Sequence, residues 1–208
     1  MRSSSTKPLA LVVGPTPRDA SDAELAKSLG EGEGWAVAEA WHRFAPMVLM
    51  TAERALGSSS EAEDLAQEVF DRVFRLASSV RRPESLRSFV YSVAIRALKS
   101  HLRHRRHRAW LSFQEPETLV DLRHGSQDVE SRELLRRFYA LLDRLPPRDR
   151  LVFILRRAES MTVEEIAASM DLSPSTVKRS MARASSRLTR WIDADAALRG
   201  LTFDGRES

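Results

Sequence analysis

The chain contains no cysteine. That excludes a disulfide framework, a thiolate nucleophile and a cysteine-type zinc site. Aromatic residues make up only 7% of the 208 positions, with Gly and Pro at 8 and 9. Strand-like runs are few. No apolar stretch approaches the roughly 18 residues that a membrane span needs, so no membrane segment is expected; the lack of cysteine fits a reducing compartment, and a cytoplasmic location is the expectation. The opening "MRSSSTKPLALVVGPTP" has an apolar core of about five residues, shorter than a secretory signal requires, and 1–20 reads as a disordered tail. There is no H-E-x-x-H, no P-loop and no Gly-rich dinucleotide turn. With no metal cluster, activated nucleophile or carboxylate pair in view, the chain does not read as an enzyme and no cofactor or metal is expected.

Ala, Leu, Arg and Glu are abundant, and these residues favour helices. The net charge of +4 conceals an asymmetry: residues 1–80 hold 8 Lys+Arg against 12 Asp+Glu, and residues 81–208 hold 25 against 17. An acidic part joined to a basic part suggests two partners of different character, one of them a polyanion such as nucleic acid.

Hydrophobic periodicity gives an all-α expectation: two small helical domains joined by a flexible linker, the second containing a helix-turn-helix. "SDAELAKSLG" opens the first domain near Ser21 and stops at Gly30. A long helix is expected over 35–56, with Val37, Ala40, Trp41, Phe44, Val48, Leu49, Ala52 and Leu56 on one face. "GSSS" breaks it. Ser60 with Glu63 reads as a capping box that opens a helix with the stripe Leu65, Ala66, Val69, Phe70, Val73 and Phe74. A further helix is expected from about 84 to 106. Leu86, Phe89, Val90, Val93 and Ala97 share one side of it, and Ser92, Arg96, Lys99, Arg103 and Arg106 share another. The first domain is thus 21–110 and the linker 111–129. The second domain is 130–192, with a short tail over 193–208.

In the second block, Thr162 and Glu165 form a capping box, flanked by Met161 and Ile166 as a hydrophobic staple. "DLS" makes a tight turn. Ser173 is then an N-cap with Pro174 at the first helical position, where a missing N–H costs nothing. Two short helices, a tight turn and two firm caps are the layout of a DNA-reading helix-turn-helix. On the second helix Val177, Met181, Ala184, Leu188 and Trp191 form the expected buried seam, with basic residues on the outward side. The N-terminal residues of such a helix reach base edges and the later cations reach phosphates. Ser175, Thr176, Lys178 and Arg179 are the candidates for bases, and Arg183 and Arg187 for phosphates. The plain alternative is a solvated helical hairpin.

"SEAEDLAQEVFDRVFR" (60–75) resembles the polymerase-binding helix of bacterial sigma factors, especially the small extracytoplasmic-function (ECF) group. "LDRLPPRDRLVFILRRAESMTVEEIAASMDLSPSTVKRSMARASSRL" is similar to that group's second conserved domain. The resemblance covers about 21–110 and 130–192. It implies a specificity subunit whose partners are core RNA polymerase and promoter DNA, with an anti-sigma protein commonly holding family members. The first domain, family region 2, would dock on polymerase and recognise and melt the −10 element; the second, region 4, would read the −35 element. Onto this chain the docking role falls on Asp64, Gln67, Glu68 and Asp71. An acidic and amide-bearing face beside apolar Leu65 suits a partner carrying arginines. The −10 role falls on Tyr91, Ser92, Arg96, Lys99, Arg103 and Arg106: cations for backbone, a flat group for unstacked bases. The loop that captures a flipped base maps to about 78–84.

One segment departs from the pattern. Where the family usually reads "WLYRIARNLAIDLLR", this chain reads "FVYSVAIRALKSHLR", with Phe89 for the Trp, Arg96 for the Asn and Ser100 for the Asp. That leaves two alternatives to a promoter-directing factor. One is a sigma-like regulator that binds polymerase without efficient melting; the other is a stand-alone helix-turn-helix regulator, which would leave the 60–75 helix unexplained. His101, His104 and His107 recur every three residues, but neighbouring arginines repel a divalent cation and no acid lies nearby in sequence.

Overall fold

The computed structural model describes residues 20–80, 86–112 and 129–199, and among these every regular element is helical. The expected tail over 1–19, most of the linker (113–128), the capture-loop positions 81–84 and the last residues of the C-terminal tail lie outside the described residues. The helices are α1 (Asp22–Gly30), α2 (Gly34–Leu56), α3 (Ser59–Leu76), α4 (Leu86–Ser112), α5 (Val129–Arg144), α6 (Pro147–Arg157), α7 (Val163–Met170) and α8 (Pro174–Ala194), with a 3-10 turn over Ala77–Ser79 after α3.

Local signals set most helix starts. Ser21 and Glu24 form a reciprocal capping box on α1, and Thr162 and Glu165 do the same on α7. Ser173 caps α8 through the Thr176 amide, with Pro174 in the first turn. The cap of α3 differs from the expected Ser60: it is Ser58, whose hydroxyl accepts from the Glu61 amide. Gly57 ends α2 in the left-handed region (φ 77°), so Ser58 is the first extended residue and takes the N-cap position. α2 also runs through Pro46, which cannot donate to the preceding turn. Trp41, expected in the core, is 41% exposed and lies against Phe70 of α3 at 4.7 Å between ring centroids. α4 is longer than its periodicity suggested and continues to Ser112.

α1 to α4 pack around Leu25, Phe44, Val48, Leu65, Phe70, Leu86 and Leu98. α5 to α8 pack around Leu142, Leu151, Leu155, Ile166, Val177 and Leu188. These two groups are not separate cores. One continuous apolar cluster runs from Leu25 to Leu198, because α4 packs on α6 and α7, and α2 on α6. α6 explains this. Asp149, Arg150, Leu151, Val152, Phe153, Ile154 and Leu155 are all buried, so the helix is covered on every side, as a central helix must be.

The seam between the two halves is built on the C-terminus of α2. The last carbonyls of a helix have no partner within it and carry negative partial charge. Here the second half supplies the donors. Arg150 Nε donates to Ala55 O at 2.9 Å and Nη2 to Leu56 O at 3.5 Å. The Tyr139 hydroxyl donates towards Arg54 O at 3.2 Å. Arg105 of α4 adds a bond to Leu56 O at 3.1 Å. The Tyr139 ring lies over Gly57, and burial pushes its phenol up to about 12. A Cβ at Gly57 would sit 2.6 Å from that ring and on a left-handed backbone. Gly57→Ala is therefore expected to lower stability by about 1–3 kcal/mol, read as a fall in the urea midpoint, whereas Gly32→Ala, strained but in open space, falls less.

Candidate nucleic-acid and polymerase interfaces

α3 presents Asp64, Gln67, Glu68 and Asp71 on its outward side, all four exposed. They lie together because positions three and four apart share a helix face, while Ala62, Leu65, Ala66, Val69, Phe70 and Val73 turn inward. Leu65 is 1% exposed and so belongs to the core instead of flanking the acidic face. Glu68 pairs with Arg72, and Asp71 with Arg75 at 3.3 Å, both one turn along. Asp64 and Gln67 have no ion pair or side-chain hydrogen bond among the described residues. The surface offers acceptors to a cationic partner.

The stripe on α4 divides into two parts. Arg96 and Arg103 are exposed and make no ion pair among the described residues. Lys99, half-buried, and Arg106, still exposed, each reach a carbonyl of the second half: Lys99 Nζ donates to Met170 O at 3.4 Å and Arg106 Nη1 to Leu145 O at 3.4 Å. Ser92 is half-buried. Tyr91 is also half-buried; burial, reinforced by the negative charge of Glu159, pushes its phenol up to about 12. Its ring is partly shielded from any stacking base in this arrangement. Ser100, at the position where the family carries Asp, lies one turn before His104, whose Nδ1 is 2.8 Å from Ser100 O.

The histidines of α4 take part in local pairing. His101 Nε2 lies 3.0 Å from Glu61 Oε2, and this hydrogen bond holds the Glu61 carboxyl below its usual range, with Arg105 adding to the effect. Among the described residues no group of three or more metal-ligating side chains converges.

α8 carries the last surface. Val177, Met181, Ala184, Leu188 and Ile192 are buried, so its outward side is fixed. Trp191, expected in that seam, is only partly covered and sits beneath the Arg144 guanidinium at 4.5 Å. Ser175, Lys178 and Arg179 are exposed at the N-terminal end. Thr176 is half-buried: its hydroxyl is 2.8 Å from that of Ser173 and accepts from Arg179 Nη2 at 3.3 Å. Arg187 lies further along, half-buried and without an ion pair among the described residues.

The family model "Sigma-70 region 2" matches residues 40–108, and "Sigma-70, region 4" matches 135–188. The chain is 29% identical over 127 residues to RNA polymerase sigma factor SigV of Bacillus subtilis, covering 61% of this chain and 73% of that protein. It is 29% identical over 161 residues to RNA polymerase sigma-E factor of Streptomyces coelicolor, covering 77% and 88%. In fold it is similar to the sigma factor RpoE of Bartonella quintana, solved in complex with the anti-sigma factor NepR: TM-score 0.57, 22% identity, 76% of this chain and 97% of that one. The chain belongs to the ECF group of sigma-70 factors.

Two groups in this sigma factor were not legible as site residues, and both concern arginine pairing. Asp149, 2% exposed on α6, accepts from Arg183 Nε at 3.2 Å and Nη2 at 2.9 Å. Burial works against ionisation there, but the bonds from Arg183 and Ser180 outweigh it and hold the carboxyl below its usual value. Arg183, a candidate phosphate contact, is thus already bound within the helix-turn-helix domain, where it ties α8 to α6. The other group is Arg150 with Asp143. The only local hint of it was Arg150 standing one residue before the run Leu151–Leu155, on a helix with no polar side.

Because the Asp149 pKa is lowered on folding, its contribution is complete above the ordinary carboxylate value and disappears as pH falls through the lowered one. Asp149→Asn is expected to lose about 1–3 kcal/mol at neutral pH, allowing for the partial exposure of Arg183. Thermal melts should show that gap closing below about pH 4.

Proposed function

We propose that this sigma factor docks on core RNA polymerase through Asp64, Gln67, Glu68 and Asp71, and directs initiation from promoters read at two places. Tyr91, Ser92, Arg96, Lys99, Arg103 and Arg106 of α4 take the −10 element. Ser175, Thr176, Lys178, Arg179, Arg183 and Arg187 of α8 take the −35 element. Its role is that of a specificity subunit; it carries out no chemistry of its own. Its place is cytoplasmic, on the nucleoid when polymerase-bound. An anti-sigma protein is a further proposed partner, by analogy with the NepR complex of the Bartonella quintana factor.

The observation that carries this reading is the pairing of two unlike surfaces in one chain. An exposed acidic face on α3 suits an arginine-bearing protein partner. An exposed basic end on α8, capped by Ser173 and backed by a buried seam, suits a DNA groove. A stand-alone regulator has no use for the first.

Reconstituted transcription is the test. Core polymerase with genomic fragments should give mapped starts only when this chain is added. Stable addition to core polymerase with no open complex on any fragment would favour the second reading, a polymerase-binding regulator; Arg96 and Ser100 are the observation behind it. Within the −35 surface, Arg179→Ala should relax preference at one base position, costing about 1–3 kcal/mol against the wrong base. Arg187→Ala should weaken all duplexes alike and reduce the salt slope by about one. Competition binding at two salt concentrations separates the two variants.

A further inference from the structure

His101, His104 and His107 have no part in the surfaces proposed above, and among the described residues they form no metal cluster. The arginines that repel a metal cation there attract an anion. A cavity of about 400 Å³ lies between α3 and the C-terminal half of α4. Glu68 and Arg72 line it from α3, and Ser100, His104, His107 and Arg108 line it from α4. His101 completes the wall, with its Nε2 3.0 Å from Glu61 Oε2. No aliphatic side chain and no aromatic ring besides imidazole lines this cavity, so it offers little to a base or an apolar peptide. What it offers is donors: two guanidinium groups, a hydroxyl and imidazole N–H.

The cavity is separate from the stripe proposed for DNA. Successive helical residues point about 100° apart, so His104 stands that far round α4 from Arg103. Within the wall, Arg72 pairs with Glu68. Arg108 is exposed and, after His101 and Arg105, helps to hold the Glu61 carboxyl below its usual range. Arg105 is taken up by Glu61 and by Asp143 of α5. Two arginines against Glu68 leave the wall net positive even with every histidine neutral. Glu68 also belongs to the acidic face of α3 with Asp64 and Asp71, which repels an extended polyanion. A small anion can meet the cations and stay clear of that face.

His104 couples the site to a proton. Its Nδ1 lies 2.8 Å from Ser100 O. A carbonyl only accepts, so Nδ1 carries the hydrogen, and in the neutral ring Nε2 is left a bare acceptor. A bare nitrogen repels an anion. Protonation turns Nε2 into a charged donor, which suits a phosphate oxygen.

We propose that this pocket binds a small phosphate anion, inorganic phosphate or diphosphate, through Arg72, Arg108 and His104, with a proton from solvent taken up at His104 Nε2. Glu68 competes with the ligand for Arg72.

Nuclear magnetic resonance of the histidine rings in the full chain tests this, with thermal melts to confirm that each variant is folded. Sulfate is the first probe, because it stays a dianion between about pH 6 and 7.5, so that proton uptake belongs to the protein. Its binding should weaken about tenfold over that range, as a histidine of ordinary pKa near about 6.5 loses its proton. Diphosphate should bind at least as tightly as sulfate. His104→Gln should match the parent chain at the upper pH and lose the pH dependence. Arg108→Gln should weaken binding several-fold at both pH values, and Glu68→Gln should tighten it. Arg87→Gln removes the same charge from an exposed position at the other end of α4 and should change nothing. Equal losses from Arg87→Gln and Arg108→Gln would reveal a general cationic surface and overturn the proposal. So would a pH dependence that survives in His104→Gln, no tightening in Glu68→Gln, or displacement of diphosphate from His104 by a mixed-sequence DNA duplex, which would assign the pocket to the nucleic-acid backbone. None of these readouts needs polymerase or a promoter.

Discussion

The guanidinium of Arg150 is the group on which the two halves of this sigma factor depend for their relative position. It is carried by α6, paired with Asp143 of α5, and bound to the last carbonyls of α2. Burial lowers its pKa while Asp143 opposes that shift. An arginine tolerates the conflict and remains charged, where a lysine would deprotonate more readily. Glu61, Arg105 and Asp143 extend the network, with Arg105 lying 3.5 Å from Glu61 and 3.3 Å from Asp143. The C-terminus of α2 is thereby capped largely from outside its own domain. Without those donors its carbonyls would face a dry seam unsatisfied, each costing about 1–3 kcal/mol.

That placement connects fold to function. Of the α4 stripe proposed for DNA, Lys99 and Arg106 each donate to a carbonyl of the second half, while Arg96 and Arg103 are exposed and clear of it. α3 faces away, and its acidic surface stays open to a protein partner. The two proposed surfaces therefore differ in exposure: the acidic face of α3 is fully exposed, and the α4 stripe is partly engaged by the second half.

Much of the local structure was legible in the sequence, because caps and staples act within a single turn. Thr162 with Glu165 and Ser173 with Pro174 start α7 and α8 where they were read, and the stripes of α2, α3 and α8 follow their periodicity. The misses share a cause: each depends on a neighbour distant in sequence or on competition between similar residues. Three consecutive serines follow Gly57, and only the left-handed turn at Gly57 selects Ser58 over Ser60 as the cap. Trp41 sits on an apolar stripe yet leans outward across Phe70. Arg183 looks like any outward cation until Asp149 of α6 is placed beside it. Arg150, Tyr139 and Arg54 carry no periodic signal for a seam between halves separated by more than 80 residues. The docking and promoter roles of individual side chains came from resemblance and are proposals; their exposure is full on α3, divided on α4 and mixed on α8.

The most direct test of this account is the distance between the two halves, before and after assembly. The absence of cysteine allows spin labels at Glu31→Cys and Ala196→Cys, both exposed and outside the proposed surfaces. Pulsed electron-electron resonance should give one narrow distance for the free chain. With core polymerase and a promoter-bearing fragment, that distance should be replaced by one longer by tens of ångströms, as the roughly 25-base-pair interval between −10 and −35 elements demands. The same narrow distance in both states would contradict the account.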